Sequence, residues 1–554
     1  MNNTETKHCQ NCKASFTIDA SDFAFYEKMG VPAPGLCPEC RMKRKLLWRN
    51  EVTLYKRNCL LCDKSIIAMY HPTAPYTVFC EECYKSDKWD ARSFAQEYEP
   101  EKLFMEQLKN LIVRVPKEAL YMGKPSVDTP YQNFAGGNKS CYLVFNSPDN
   151  EESLYSRGIM KCKNVVDAYF TIGAELCYEA VNANKSSRIV WGQNVLDSLN
   201  SYFLLNCTGV QNCFACVNLR HKSYHFFNEP LSKEEWKQRI GEITGSYAKM
   251  QEARAKFEEF TLQFPRREHN NLRSTNSSGE YIFESKSAHS CFEVFSSENC
   301  KYSFAIKLTK DSYDAVGRGL NSELLLETVA VGEGCSRVTG SWGVGTSHNI
   351  EYSYDLRDCE YCLGCVGLRH AKYSILNKQY TEAAYHELRD RIIGELKRDG
   401  VYGLYLPPEL SPWAYNETLA QEFSPLSKQE ALGQGFRWQD DIPQTQGKET
   451  LKPENIPDHI KEVQDNILNE ILVCVTCKRN YRLIHSELEF YRRILIPIPR
   501  QCFFCRHADR IRRRGPFKIF DRTCARCGKA IKTNFVPERP EIVYCEQCYN
   551  AEVA

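Results

Sequence analysis

Sixteen of the 28 cysteines form eight Cys-x2-Cys pairs, four near each end of the chain. The first set is Cys9, Cys12, Cys37, Cys40, Cys59, Cys62, Cys80 and Cys83. The second is Cys474, Cys477, Cys502, Cys505, Cys524, Cys527, Cys545 and Cys548. The gaps between successive pairs are identical in the two sets, so adding 465 to each cysteine number of the first gives the second. Four thiolates delivered by two such knuckles make the closed, tetrahedral coordination that structural Zn²⁺ prefers. A duplicated module with two four-cysteine sites per copy is expected, hence about four Zn²⁺ in all. The spacing leaves open which knuckles share an ion.

The copies match beyond the cysteines. Phe25-Tyr26 corresponds to Phe490-Tyr491, Arg41 to Arg506, and Tyr84 to Tyr549. A module of about 75 residues with few large aliphatic side chains is marginal without metal, so zinc should supply most of its folding free energy. The run from Phe25 to Arg41 has an aromatic-Tyr pair, a Gly-x-Pro and a Cys-x2-Cys-Arg. It resembles the probable zinc-ribbon domain of treble-clef type. The chain is also similar to long cysteine-rich zinc-ribbon proteins of genome-reduced candidate-phylum bacteria, in segments such as 411–418 and 425–432. The resemblance implies zinc ribbons and no particular activity. The second copy departs at Ile494-Leu495-Ile496, which replaces Met29-Gly30-Val31.

The elements that carry these modules fall into seven segments. They are a tandem zinc-ribbon module (1–90), a helical or extended linker (91–136), a first β-solenoid half (137–230), a helical segment (231–272), a second half with a terminal helix (273–400), a Pro-rich strap (401–472) and a second tandem module (473–554). The halves are recognised by an internal repeat. Cys213-x2-Cys216 with Arg220-His221 recurs further on as Cys362-x2-Cys365 with Arg369-His370. Short strand-like runs recur about every 10–13 residues, separated by Asn, Asp, Ser and Gly, with no long helix between them. The fold class expected is mainly β: a duplicated β-solenoid-like centre flanked by tandem zinc-ribbon modules, with a few helices. A pair of β-sandwiches is the competing fold. Residues 232–262 read as packing helices, opened by a Ser232-x-x-Glu235 capping box.

Cys213, Cys216 and His221, and Cys362, Cys365 and His370, offer a fifth and sixth metal site. Residues three apart on a strand point to opposite faces, which argues against chelation and for inward-facing structural cysteines. The Arg-His pairs read as hydrogen-bonded turns.

The net charge of +2 hides an asymmetry. Residues 474–548 carry 17 Lys+Arg against 7 Asp+Glu, residues 9–83 carry 10 against 8, and the remainder is about −10. Arg492, Arg493, Arg506, Arg510, Arg512, Arg513, Arg514, Lys518 and Arg522, with Arg500, Arg526 and Lys532, suggest a cationic surface beside Phe503, Phe504 and Phe517. Phosphates attract such charges and unpaired bases stack on such rings. The expected function is a non-enzymatic zinc-binding protein whose basic C-terminal ribbons contact nucleic acid or a ribonucleoprotein. The alternative is a protein-interaction scaffold whose ribbons pack on its own solenoid or on a second copy. A third reading, a solenoid enzyme acting on glycans through Lys307, Lys310, Asp311 and Asp314, conflicts with the reducing compartment that free Cys-x2-Cys pairs imply. No Gly-rich phosphate loop or nucleophile elbow is present. The polar opening residues lead straight into a knuckle and no apolar run of about 20 residues exists, so a cytoplasmic protein without a signal peptide or membrane span is expected.

Overall fold

From Gly137 to Phe227 every third residue has a positive φ, whatever its type. Asn194, Trp191 and Phe203 sit at 54°, 57° and 51°. This left-handed conformation is disfavoured for residues with a Cβ, and Asn, Asp and Gly tolerate it best. Those three types therefore recur at this position, as Asn146, Asp149, Gly158, Asn164, Asp167 and Gly173 show. Each left-handed residue turns the chain before the next triplet begins.

The computed structural model, which describes residues 4–553, joins these triplets in parallel register. Tyr142 pairs with Leu154, Leu154 with Val166, and the series continues through Tyr178, Val190, Tyr202 and Phe214 to Phe226, always with the same step of twelve. A neighbouring series runs Lys139, Glu151, Lys163, Glu175 and Ser187 with that step again. One repeat is thus four triplets. The ten-stranded sheet spans Gln132–Asn133 to Glu229–Pro230. A nine-stranded sheet, Ser278–Phe283 to Lys378–Gln379, repeats the arrangement. It keeps the step of twelve from Ser336 to His348, Glu360 and Lys372, but takes one of thirteen from Leu325 to Val338. The preceding repeat, in which the Leu325 N–H donates to Ser312 Oγ thirteen residues back, contains Gly319, with φ of 88°, where a Cβ would stand 2.5 Å from the Lys307 carbonyl oxygen.

The first residue of each triplet faces inward. Every third residue from Cys141 to Cys216 is buried, including Cys162, Cys177, Cys207 and Cys213. Cys213 and Cys216 therefore point the same way, into the core. The expectation that residues three apart diverge fails here, because a left-handed residue, Ala215, turns the chain between them. Their placement as inward structural cysteines is as expected, for a different reason. Serine fills the same positions with the same bond: Ser201 Oγ donates to the Leu199 carbonyl at 2.8 Å, and Cys213 Sγ to Gln211 at 3.4 Å. Outside the core, Asn182, Asn194 and Asn206 form an amide ladder with 3.0 Å steps.

Near the end of each sheet an asparagine side chain pairs with the backbone as a further strand would. Asn228 Oδ1 accepts from the Val217 N–H at 2.9 Å and Nδ2 donates to the Val217 carbonyl at 3.0 Å. Asn377 does the same for Val366, at 2.8 Å in both directions. Capped helices follow: Lys233–Ile243, with the Ser232–Glu235 capping box in place, and Glu382–Arg398, capped by Thr381. The helix Tyr247–Thr261 packs Phe257 against Trp191 and Phe203, as a packing helix should. Arg220 and Arg369 donate to backbone carbonyls of Asn206 and Asp355, so both are turn residues.

Contacts divide the chain into two units that interleave its segments. One comprises the residues up to Leu120, His269–Asp441 and Phe517–Ile519. It holds the N-terminal zinc module and the nine-stranded sheet. The other comprises Tyr121–Glu268, Ile442–Pro516 and the residues from Phe520 onward, with the ten-stranded sheet and the C-terminal module. Each module thus packs with the sheet that is more distant from it in sequence. The Pro-rich segment up to Asp441 lies on the N-terminal module: Trp413 Nε1 donates to the Met69 carbonyl at 2.7 Å and Ser411 Oγ to Leu47 at 2.8 Å.

Candidate metal centres and buried ion clusters

Each module contains two hairpin-plus-helix units. The first hairpin, Glu5–His8 with Ser15–Ile18, carries the knuckle Cys9–Cys12 at its turn. Cys37 and Cys40 lie at the start of the helix Pro38–Leu46. A second hairpin, Tyr55–Asn58 with Ser65–Ala68, and the turn of helix Glu81–Tyr84 present the next four. The C-terminal module repeats this with Leu472–Val473 paired to Asn480–Tyr481, the helix Phe503–Arg514, Phe520–Thr523 paired to Ala530–Thr533, and the helix Glu546–Val553. Leu495 takes a left-handed cap, φ 55°, where Gly30 has 71°, so the sequence difference there leaves the chain path unchanged.

Knuckle one pairs with two, and three with four. The groups are Cys9/Cys12/Cys37/Cys40, Cys59/Cys62/Cys80/Cys83, Cys474/Cys477/Cys502/Cys505 and Cys524/Cys527/Cys545/Cys548, with all sulfurs of a group within 4.8 Å of one another. Sulfur separations of 3.6, 3.9, 3.6 and 3.8 Å link the two knuckles of each. A tetrahedron with metal–sulfur bonds of about 2.3 Å has edges of about 3.8 Å, so the residues fit zinc. Backbone amides complete the sites. Cys37 N–H donates to Cys9 Sγ at 3.3 Å and Cys80 N–H to Cys59 Sγ at 3.2 Å.

The first thiol of each group is prepared for ionisation. Burial opposes it, but backbone donors from Cys37, Cys12 and Asn11 outweigh burial and bring Cys9 down to about 6. Cys59 and Cys524 fall to about 6 and Cys474 to about 7 for the same reason. Burial and then the neighbouring sulfurs push Cys83 and Cys548 up to about 12. Four thiolates in this space repel one another, and a divalent cation removes that conflict. The four clusters account for about four Zn²⁺ ions.

The helix after the second knuckle also carries a pair of cations at matching places. Arg41 corresponds to Arg506 and Lys45 to Arg510. In one unit Arg41 lies 3.0 Å from Asp314 and 3.3 Å from Glu327, and Lys45 lies 3.1 and 2.9 Å from the same carboxylates. In the other, Arg506 is 2.8 Å from Asp167, and Arg510 is 3.0 Å from Asp167 and 2.9 Å from Glu179. Arg513 adds a bond of 2.8 Å to Glu179. The guanidinium groups of Arg41 and Arg506 sit 5.1 and 5.2 Å from the ring centroids of Tyr302 and Tyr155. Tyr155, Asp167 and Glu179 occupy one left-handed position in three successive repeats, and Tyr302, Asp314 and Glu327 occupy its counterpart.

These contacts correct the cationic surface expected from sequence. Arg506, Arg510 and Arg514 are buried, and Arg513 is covered by Glu179 and by Trp191, whose ring lies 4.3 Å away. Burial in an ion cluster removes them from contact with an external polyanion. Arg492 pairs with Asp465 at 2.6 Å and Lys518 with Glu39 at 2.7 Å. Arg522 donates to the Glu541 carbonyl at 3.2 Å, and Arg500 to Ile456 at 2.9 Å. Arg526 and Lys532 pair with Glu552 and Asp521. Arg512 lies beside Asp509 but stays exposed, as does Arg493. Phe517 packs inside its unit against Phe304 and Phe423.

The residues expected to act together elsewhere are separated. Cys213/Cys216 and Cys362/Cys365 face the core whereas His221 and His370 are exposed, so neither triad surrounds one point. Asp314 is buried against Arg41 and Lys45, and Asp311 pairs with Lys28 at 3.0 Å, so the proposed glycan-cleaving carboxylates are engaged by the zinc module. Sequence reasoning missed Asp167, Glu179 and Glu327 as partners. Their signal was an acidic residue placed one repeat after Tyr155, and again one repeat after Tyr302.

No helix among the described residues is long and apolar enough to cross a membrane. Comparison with curated proteins returned no match. Residues 5–46, which contain the first four-cysteine cluster, match the family model of a probable treble clef domain.

Proposed function

We propose that the chain is a non-enzymatic scaffold of a reducing, cytoplasmic compartment, built from two β-solenoids, each covered along one face by a zinc-stapled module. The parallel register with its step of twelve and the inward first residue of every triplet support the solenoid. The observation that carries the functional reading is the matched pair of buried ion clusters. Two helices at equivalent places in the two modules present equivalent cations to equivalent carboxylates. A basic helix that is held this way serves docking within the chain rather than phosphate contact. The twelve cysteines inside the two sheets are free thiols, which suits a reducing environment.

The scaffold reading assigns no polyanion contact to the arginine cluster of the C-terminal module. The two exposed members test this without disturbing the fold. The double variant Arg493→Glu/Arg512→Glu is expected to keep its zinc content, to stay within about 0.5 kcal/mol of the parent in urea unfolding, and to retain single-stranded oligonucleotide as the parent does. A clear loss of retention would restore the cluster as the nucleic-acid surface and overturn the scaffold reading of these residues.

A further inference from the structure

The two zinc modules share the residues that bind metal and dock on the sheets. They differ around a cleft of about 190 Å³ beside the Cys474 site, between the C-terminal module and the first repeats of its sheet. Its walls include Tyr142, Tyr481, Phe503, Phe504, Arg479 and Arg482. The N-terminal module has Ala14, Thr17 and Glu39 where the C-terminal one has Arg479, Arg482 and Phe504. The cations and the exposed ring are therefore not needed to build a module.

Their state is unlike that of the arginines held in the ion cluster beneath the module. Arg506 also lines the cleft but is buried against Asp167 and Glu487. Glu487 is the carboxylate of this wall, and it accepts from Tyr155 at 2.8 Å and Tyr491 at 2.6 Å. Arg479 and Arg482 have no carboxylate partner among the described residues. Phe504 is 45% exposed, and the Arg479 guanidinium lies 5.6 Å from its ring centroid. Cation and ring are thus presented together. Exposed aromatic side chains take the faces of unpaired bases, and neighbouring arginines take the phosphates.

We infer that this cleft binds a nucleotide unit, a planar base stacked at Phe504 with its phosphate held by Arg479 and Arg482. A space of this size admits one planar group and not a duplex. The unit could come from a free nucleotide or from a single strand, and the two sources share this chemistry. The inference is independent of the scaffold reading, because none of the three residues is a metal ligand or a member of an ion cluster.

The test uses the full zinc-loaded chain and fluorescence anisotropy with a labelled oligouridine, competed by uridine monophosphate, by inorganic phosphate and by duplex DNA. The parent is expected to bind the oligonucleotide, with duplex a poor competitor. Gain in affinity with strand length identifies a strand as the source; equal affinity for the mononucleotide identifies the free nucleotide. Phe504→Ala should weaken binding by roughly tenfold, within the range of a lost stacking contact. Arg479→Gln/Arg482→Gln should weaken it further and flatten the salt slope by about 1.4, from about 0.7 per phosphate on a single strand. Zinc content and thermal unfolding of these variants should match the parent. The inference is overturned if the parent binds neither probe at low salt, if the variants bind as tightly as the parent while folded, or if Arg493→Glu/Arg512→Glu weakens binding as much.

Discussion

Stripping the zinc from the full-length protein is expected to unfold both terminal modules while the ions leave in the ratio of about four per chain. The reason lies in what forms each small core. Around the first site the buried cluster is Cys9, Leu36, Cys37, Cys40 and Leu404, so three of its five members are ligands. Around the fourth it is Cys524, Ile531, Val543 and Cys545. Without metal these sulfurs repel one another as they ionise, and little aliphatic surface remains to hold the hairpin on the helix. Structural zinc contributes about 10–16 kcal/mol of apparent binding free energy at neutral pH in small zinc domains. Loss on that scale is as large as the whole stability of a typical domain, about 5–15 kcal/mol. Chelator titration with metal analysis and circular dichroism measures it, and Cys474→Ser should remove one ion while leaving the other three. Retention of the module helices after complete removal of zinc would contradict the account.

The second large effect belongs to the carboxylates beneath the modules. Asp167→Ala leaves Arg506 and Arg510 buried with part of their compensation gone. Removing one partner of a buried pair costs about 3–5 kcal/mol, far more than an exposed pair such as Lys85 with Glu81, worth about 0–1 kcal/mol. Asp314→Ala should act alike through Arg41 and Lys45. Replacing both sides at once, with Arg510→Met and Asp167→Leu, should recover part of the loss, since an apolar pair of similar volume often does as well as a buried ion pair. Urea unfolding of the two single variants and the double variant gives the coupling. A loss below about 1 kcal/mol for Asp167→Ala would place the cluster among surface ion pairs.

What the sequence made legible depended on how local the signal was. The sixteen ligands could be named because a knuckle is a four-residue device and its duplication preserves every gap. The pairing of knuckles needed the hairpin and helix to be placed, and spacing alone did not decide it. The strands of the two sheets showed themselves as aromatic and aliphatic runs between Asn, Asp, Ser and Gly. Their true period is hidden, because Trp191 and Phe203 occupy the left-handed position as well as the better-suited Asn194, so residue type there marks the turn only intermittently. With that period hidden, Cys213 and Cys216 read from sequence as residues on opposite faces of a strand, although both face the core. The basic run 510–514 looked like a surface because charge in sequence carries no information on burial. Its partners belong to a distant part of the chain, and only the fold brings Asp167 and Glu179 beneath it. The smaller cationic patch at Arg479 and Arg482 is inconspicuous in sequence beside that run, because only the fold shows that its cations lack carboxylate partners and share a cleft with an exposed ring.

The central claim is that zinc holds each module over the acidic positions of a sheet. Carboxyl footprinting measures this directly, by carbodiimide-coupled labelling read by mass spectrometry with zinc bound and after chelation. Asp167, Glu179, Asp314 and Glu327 should be protected in the zinc form, while the half-exposed Glu298 and Glu360 are labelled throughout. Removal of zinc should bring the four up to the labelling of those two. Ready labelling of the four with zinc bound, or continued protection after zinc has gone, would contradict the account.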